Sequence, residues 1–568
     1  MADGQWWRDA VIYQVHPRSF ADSNGDGVGD LNGVRSRLPH LRDLGVDAVW
    51  LSPFYVSPQA DGGYDVADYR AVDPLFGTPA DAEALIADAH ALGLRVLVDL
   101  VPNHSSDRHD WFRRAPAGGP GSPARDRYHF RPGRGARGEL PPNDWHSLFG
   151  GPAWTRAADP DGSPGDWYLH LFAPEQPDFN WANPEVAEEF RAILRFWPVR
   201  GVDGFRVDVA HGLVKAEGLP DHGRSARLLD LTSTPFWDQD GVHEVYRDWR
   251  RLLDSYPGER IGVAEAWGRT PVRTANYVRP DELHQAFNFH HLTCSWEPAA
   301  LRAVVDDSLA AMRAVGAPAT WLLSNHDVVR HATRLAPGAD RARAATLLML
   351  ALPGSAYLYQ GEELGLPEVV DLPDASRRDP AFRRTGGRDG HRDGCRVPLP
   401  WHGDRPPYGF GPAGGPSRLP QPDDWAELSA AAQDGVPGST LELYRAALAP
   451  RRAHPALGGG DDLVWLPGDD AVLAFERGAG DEVLRCAANA GGHPVEVEVG
   501  PAGELLLSSA PVDHDGAHVV LPPDTAIWWI PARAPRAAPA SAPAPASTPM
   551  AAQTPTRSST SALGPPPP

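Results

Sequence analysis

Along the first hundred residues, continuous apolar runs alternate with stretches whose apolar positions recur every three or four residues. Ala10–His16 (AVIYQVH) has the β-branched and aromatic character of a buried strand, Leu31–Leu44 has helical periodicity, and Val46–Leu51 (VDAVWL) is a second strand. Pro79–Leu92 is helical again and Arg95–Leu100 (RVLVDL) is a third strand. Strands separated by helices pair in parallel through right-handed crossovers. The alternation stops between residues 105 and 180, where Pro, Gly, Arg, Asp and Trp dominate, and so long an irregular stretch predicts an inserted, loop-rich subdomain. It resumes with a helix opened by Asn183–Pro184 (Pro184–Trp197) and with strands at Val202, Ile261–Glu265, Gln285–Phe289, Ala319–Ser324 and Ala356–Gln360. The eight strands predict an α/β fold, a (β/α)8 barrel built from residues 1–104 and 181–455 with the insert after the third strand. Short alternating runs then predict an antiparallel β-sandwich domain over 456–532, and the Ala, Pro, Ser and Thr of 533–568 predict a disordered tail.

The 568 residues carry a formal charge of −21, which argues against nucleic acid and anionic membrane surfaces and favours a neutral substrate. Cys294, Cys395 and Cys486 are far apart and odd in number, so neither a disulfide framework nor a metal-ligand spacing is expected. The amino terminus MADGQWWRDA lacks a basic and an apolar region, and the longest apolar stretch, Ala344–Tyr359, is broken by Pro353–Gly354. No signal peptide, no membrane span and a cytoplasmic location are the expectations.

Two charges interrupt the strand in GVDGFRVDVA (Gly201–Ala210). Side chains two apart share a face, so Arg206 and Asp208 point the same way, and a cation beside a carboxylate holds it ionised. Asp208 is thereby a nucleophile candidate, although a structural ion pair at a sheet end accounts for the stretch equally well. Glu265 (IGVAEAW) and Asp327 (WLLSNHD) sit near the carboxyl ends of two further strands, and in a barrel those ends face one pocket. Three acids so placed suit glycoside cleavage. After the first strand, ADSNGDGVGD spaces Asp22, Asn24, Asp26, Val28 and Asp30 evenly, so oxygens can converge on one hard cation. The loop starts like an EF-hand, but Gly33 stands where that motif has its bidentate Glu, which predicts a structural Ca2+ or Mg2+ loop; the other reading is a solvated acidic turn.

With DLVPNH (Asp99–His104), QPDFN (Gln176–Asn180), GFRVD (Gly204–Asp208), Glu265 and SNHD (Ser324–Asp327), the chain resembles the α-amylase superfamily of glycoside hydrolases (family 13 type) over about Gln5–Pro531, in its intracellular α-glucosidase and oligo-1,6-glucosidase branch. The wording GFRVDVAHGLVK and RDGCRVPLPW is most similar to actinobacterial α-glucosidases. The resemblance implies that Asp208 is the nucleophile, Glu265 the general acid and then base, and Asp327 the transition-state stabiliser, with no cofactor for catalysis and a small oligosaccharide as the only partner of a monomer or homodimer. It places Tyr64, Asp65, His104, Arg206, His326 and Arg392 around the first sugar. Arg392 or Arg396 is expected to pair with Asp65 and close the pocket, which makes an exo-acting enzyme. Val209, after the nucleophile, goes with α-1,6 linkages in this branch, whereas the chain as a whole is closer to enzymes of short α-1,4 maltooligosaccharides; α-1,4 is the expectation. Capture of the glucosyl intermediate by a sugar hydroxyl, as in trehalose synthase, uses the same three acids. A non-catalytic transporter heavy chain is disfavoured by their presence and by the lack of a membrane helix.

Overall fold

The computed structural model describes residues 5–223, 234–335, 338–460, 462–479, 482–500 and 503–531; the expected disordered tail lies outside them. Eight strands form one sheet: β1 (Val11–Val15), β2 (Ala48–Leu51), β3 (Arg95–Leu100), β4 (Gly204–Val207), β5 (Ile261–Ala264), β6 (Gln285–Ala286), β7 (Thr320–Leu322) and β8 (Ser355–Tyr359). Their order is β6–β5–β4–β3–β2–β1–β8–β7 and every pairing is parallel. The ring closes between the ends of that list, where Asn288 N–H donates to Thr320 O at 3.2 Å. Every residue of these strands is buried except the first of β3, as expected of parallel strands covered on both faces.

The covering helices include α1 (Leu31–Leu44), α2 (Pro79–Ala91), α3 (Pro184–Phe196), α4 (Val242–Leu253), α5 (Pro298–Val315) and α6 (Ala339–Ala351). Asp30 caps α1 by accepting the Gly33 N–H, and Gly45 ends it at φ 96°, a conformation glycine adopts without strain. The sixth strand is shorter than expected: Asn288 accepts the His291 N–H and starts a helical turn at Phe289, where an extended run was predicted.

The insert is less irregular than its composition suggests. It holds a helix, Asp110–Gly118, and a three-stranded antiparallel sheet of Phe130–Arg131, Pro164–Leu169 and Trp154–Ala158. Its aromatic core of Trp145, Phe149, Trp154 and Phe172 continues into Val209 and Trp237 beyond β4, so the insert leans over the carboxyl end of the barrel. The C-terminal region forms a five-stranded and a three-stranded antiparallel sheet with a shared apolar cluster around Val519, Ile527 and Trp529. Among the described residues no helix is long and apolar enough to cross a membrane; the apolar run Ala344–Tyr359 is the end of α6 followed by β8.

Candidate active site

Arg206 is fully buried at the carboxyl end of the barrel, its guanidinium over the rings of Trp50 (5.0 Å) and Tyr64 (5.8 Å). The β3–β4 register sets it opposite Asp99. Its Nη1 donates to Asp99 Oδ1 and to Asp208 Oδ1, both at 2.7 Å, and its Nη2 lies 3.1 Å from Glu265 Oε2. Asp208 and Glu265, each just past the end of its strand, thus meet on one cation. Glu265 Oε2 also accepts the Val209 N–H at 2.8 Å, and Trp267 Nε1–H reaches Oε1 at 3.4 Å.

One guanidinium facing three carboxyl groups cannot neutralise them all. Burial pushes Asp208 well above the usual carboxylate range, with Arg206 pulling it down and Glu265, Asp99 and Asp327 adding to the rise. Burial likewise raises Glu265 against the pull of Arg206, and raises Asp99 to about 6. Arg206 is thus shared among three carboxyl groups, and its pull on Asp208 is opposed by burial and by the neighbouring carboxylates.

Val209 has φ 46°, in the left-handed region that a β-branched residue rarely enters. The surroundings enforce it, since Val209 N–H is bonded to Glu265, Val209 O accepts the Gly212 N–H at 2.8 Å, and Ala210 N–H donates to Glu265 O at 2.9 Å. This turn ties the segment after Asp208 to Glu265 and fixes one acid relative to the other.

Asp327 faces two more cations. Its Oδ1 accepts from Arg392 Nη1 at 3.0 Å and from Arg396 Nη2 at 2.8 Å, and His326 Nε2 lies 3.3 Å from Oδ2. Burial would raise Asp327, but His326, Arg392, Arg396 and Arg206 together hold it well below the usual range. His326 is itself driven far down by burial and is neutral, so the arginines supply the charge that keeps Asp327 ionised. His326 stacks on Tyr64 (5.1 Å, 7°) and its Nδ1 meets Gln14 Nε2 at 2.7 Å; Tyr64 O–H donates to Asp99 at 2.9 Å. His104, lowered to about 4 by burial, lies with Nε2 3.2 Å from Tyr64 O and 3.1 Å from Gln176 Nε2.

The closing ion pair differs from the expected one. Asp65 meets neither arginine; its oxygens accept the backbone N–H groups of Ala60 (2.9 Å) and Asp61 (3.0 Å), and burial raises it to about 6. Asp61 takes its place, with Oδ1 accepting from Arg392 Nη2 at 2.8 Å and Oδ2 from Gln176 at 3.2 Å. Arg392 is also held by Asp379 (Nε to Oδ2, 3.0 Å), so it bridges three carboxylates, whereas Arg396 serves Asp327 and the His326 carbonyl (2.7 Å). Asp61, Asp99, Gln176 and Asp379 are site residues that sequence reasoning did not assign. Asp99 and Gln176 stand in the quoted motifs, and Asp61 stands three residues before Tyr64.

In the acidic loop Asp22 and Asp30 are buried while Asn24 and Asp26 are exposed. Asp22 accepts the N–H groups of Asn24, Gly25 and Gly27, Asn24 that of Asp26, and Asp26 that of Val28. The donor set is all oxygen and suits a hard cation. Among the described residues no three His, Cys, Asp or Glu side chains gather as a metal centre, so any ion here would draw on the Asn24 amide and backbone carbonyls as well.

A parallel eight-stranded barrel with carboxyl groups converging at its carboxyl end is the arrangement of a glycoside-cleaving enzyme. Residues 14–460 match the family described as alpha amylase, catalytic domain, and residues 461–528 match a domain of unknown function (DUF3459). The chain belongs to the α-amylase family of glycoside hydrolases. It is 38% identical to a probable alpha-glucosidase of Rhizobium meliloti (strain 1021), over 86% of this chain and 90% of the relative. It is 34% identical to an oligo-1,6-glucosidase of Parageobacillus thermoglucosidasius, over 85% and 90%. A solved structure of an alpha-glucosyl transfer enzyme superposes with a TM-score of 0.82 at 36% identity, covering 93% of this chain and all 100% of that one.

Proposed function

We propose that the protein is a retaining exo-α-glucosidase that releases α-glucose from the non-reducing end of short α-glucosides, with α-1,4 linkages favoured. The observation that carries the reading is Arg392, whose bridge from Asp61 to Asp327 and Asp379 spans the site beside the acids and would close it beyond one sugar. Asp208 attacks the anomeric carbon from one face while Glu265 gives its proton to the leaving oxygen; Glu265 then takes a proton from the water that releases glucose. Burial raises both acids, Asp208 the more, but the geometry opposes that order: Arg206 donates to Asp208 at 2.7 Å and lies 3.1 Å from Glu265, so on this reading the guanidinium holds Asp208 ionised and leaves the proton to Glu265. Asp327, ionised throughout, binds sugar hydroxyls and tightens as the ring flattens. The α-1,4 preference rests on the wording of the chain as a whole, while Val209, which the resemblance ties to α-1,6 linkages, is the counterweight. A hard cation in the Asp22–Asp30 loop would brace the fold away from the chemistry.

The test is the initial rate of glucose release from maltose and isomaltose at equal concentration, with NMR reading the anomer as it forms. Faster α-glucose from maltose is expected; faster release from isomaltose overturns the linkage, and β-glucose as first product overturns the retaining assignment. Transfer of the glucosyl unit to a sugar is the second reading, favoured by the likeness to the alpha-glucosyl transfer enzyme, and it shows in the same spectra as new α-glucosidic signals.

A further inference from the structure

Beside Arg396 lies a cavity whose lining includes none of Asp208, Glu265 and Asp327. Its cavity volume is about 30 Å³, and His16, Arg18, Arg378, Asp393, Arg396 and Arg418 line it around Gly62. The lining thus holds four arginines and one aspartate; Arg378 Nη1 donates to the Ala375 and Arg377 carbonyls (3.0 and 3.2 Å), and Asp393 Oδ2 is already engaged by the backbone N–H groups of Arg378 (2.7 Å) and Asp379 (2.9 Å).

The donors that point inward lack protein partners. Arg18 is only 7% exposed and its Nη1 has no hydrogen bond, while His16, 1% exposed, has both ring nitrogens unbonded. Arg396 spends Nε on the His326 carbonyl and Nη2 on Asp327. A Cβ placed on Gly62 would stand 3.6 Å from Arg396 Nη1 and 4.0 Å from Arg18 Nη1, so these two remaining donors share the space above that glycine. Buried donors left unpaired are costly, and water can satisfy their hydrogen bonds but not the excess of positive charge. Burial, then Arg418 and Arg396, pull Arg18 down to about 9 against the opposing pull of Asp65, the direction expected where crowded cations outweigh the nearby carboxylate.

We propose that this cavity binds a small inorganic oxyanion, phosphate or sulfate, between Arg18, Arg396 and Arg418. Guanidinium forks match the paired oxygens of such ions, and the neutral His16 adds one N–H donor. The ion would touch the same Arg396 that holds Asp327, so its binding is one residue removed from the sugar pocket.

The experiment titrates the full-length protein with sodium phosphate, sodium sulfate and sodium chloride at matched ionic strength, reading melting temperature and calorimetric binding. Neither readout depends on the glycosidase reading. A saturable upward shift with phosphate and sulfate and none with chloride is expected. Arg418→Gln, at the half-buried rim, is expected to weaken phosphate binding by about tenfold or more, the loss of one charge-assisted hydrogen-bonding partner, with circular dichroism and maltose turnover in phosphate-free buffer unchanged. Arg18→Gln provides the same reading from the other wall. Phosphate acting no differently from chloride, or binding unaffected by both substitutions, overturns the site; glucose 6-phosphate binding more tightly than phosphate overturns the assignment to a small ion.

Discussion

Glu265 differs from Asp208 in what its outer oxygen meets: Oε1 has only the distant Trp267 N–H, whereas Asp208 Oδ1 takes a short bond from Arg206. A proton on Oε1 would break no bond to Arg206, which is the state the proposed general acid needs. Glu265→Gln is expected to lower kcat on maltose by about 10²–10⁴-fold, and by far less on an aryl glucoside whose leaving group needs no proton, with steady-state rates on the two substrates as the check. Because burial raises Glu265, the alkaline limb of the pH–rate profile follows its deprotonation as pH rises, and Gln at that position removes this limb on the aryl substrate. Arg392→Lys tests the wall of the pocket. An ammonium reaches one carboxylate where the guanidinium reaches Asp61, Asp327 and Asp379, so KM for maltose is expected to rise at least about tenfold and the melting temperature to fall. Asp61 rather than Asp65 makes that wall because the two oxygens of Asp65 are consumed by backbone N–H groups within its own turn. Spacing along the chain brought both acids to one loop, but the direction each side chain takes is a property of the turn.

At the scale of elements, α1 was legible to the residue because both of its ends carry local signals, the Asp30 cap and the Gly45 stop. The strand set was legible for a similar reason, since apolar runs between helices admit few topologies. β6 was overextended because one side-chain cap, Asn288, outweighs two apolar residues, and the sheet of the insert was hidden because its short strands mix Pro, Gly, Asp and Arg with aromatics on both faces, Phe130 and Tyr168 on one and Trp154 and Trp167 on the other. The turn after β8 holds Glu362, whose Oε1 accepts the Tyr359 N–H and whose Oε2 meets Tyr444 O–H at 3.4 Å; burial pushes it up to about 8. A raised carboxyl pKa stabilises the folded state fully below the unfolded value of about 4.3, and that contribution is lost as pH rises through the folded value. Glu362→Gln is therefore expected to flatten the fall in melting temperature between those two pH values and to be the more stable protein at the alkaline end. A parallel loss in wild type and variant refutes it.

Across the whole molecule the C-terminal sheets act on the barrel through α6, which is buried on nearly every side; Trp528 Nε1–H donates to Leu347 O at 3.0 Å and Arg343 Nε to Ser509 O at 2.8 Å. The acidic loop braces the opposite margin, where Asp22 N–H donates to Phe410 O at 2.7 Å and Arg418 N–H to Gly27 O at 3.0 Å. If a cation completes that loop, Ca2+ raises the melting temperature, a chelator lowers it, and Asp22→Ala removes the response; thermal unfolding with and without the ion decides it. The Arg392 wall has a last consequence on the reading proposed above. A dead-end recess has a single doorway, so the departing sugar must leave by the route its successor uses. While glucose is still attached to Asp208, whichever hydroxyl crowds that doorway receives it. In dilute maltose the crowd is water and chains shorten; in syrup it is sugar, and the same recess lengthens them.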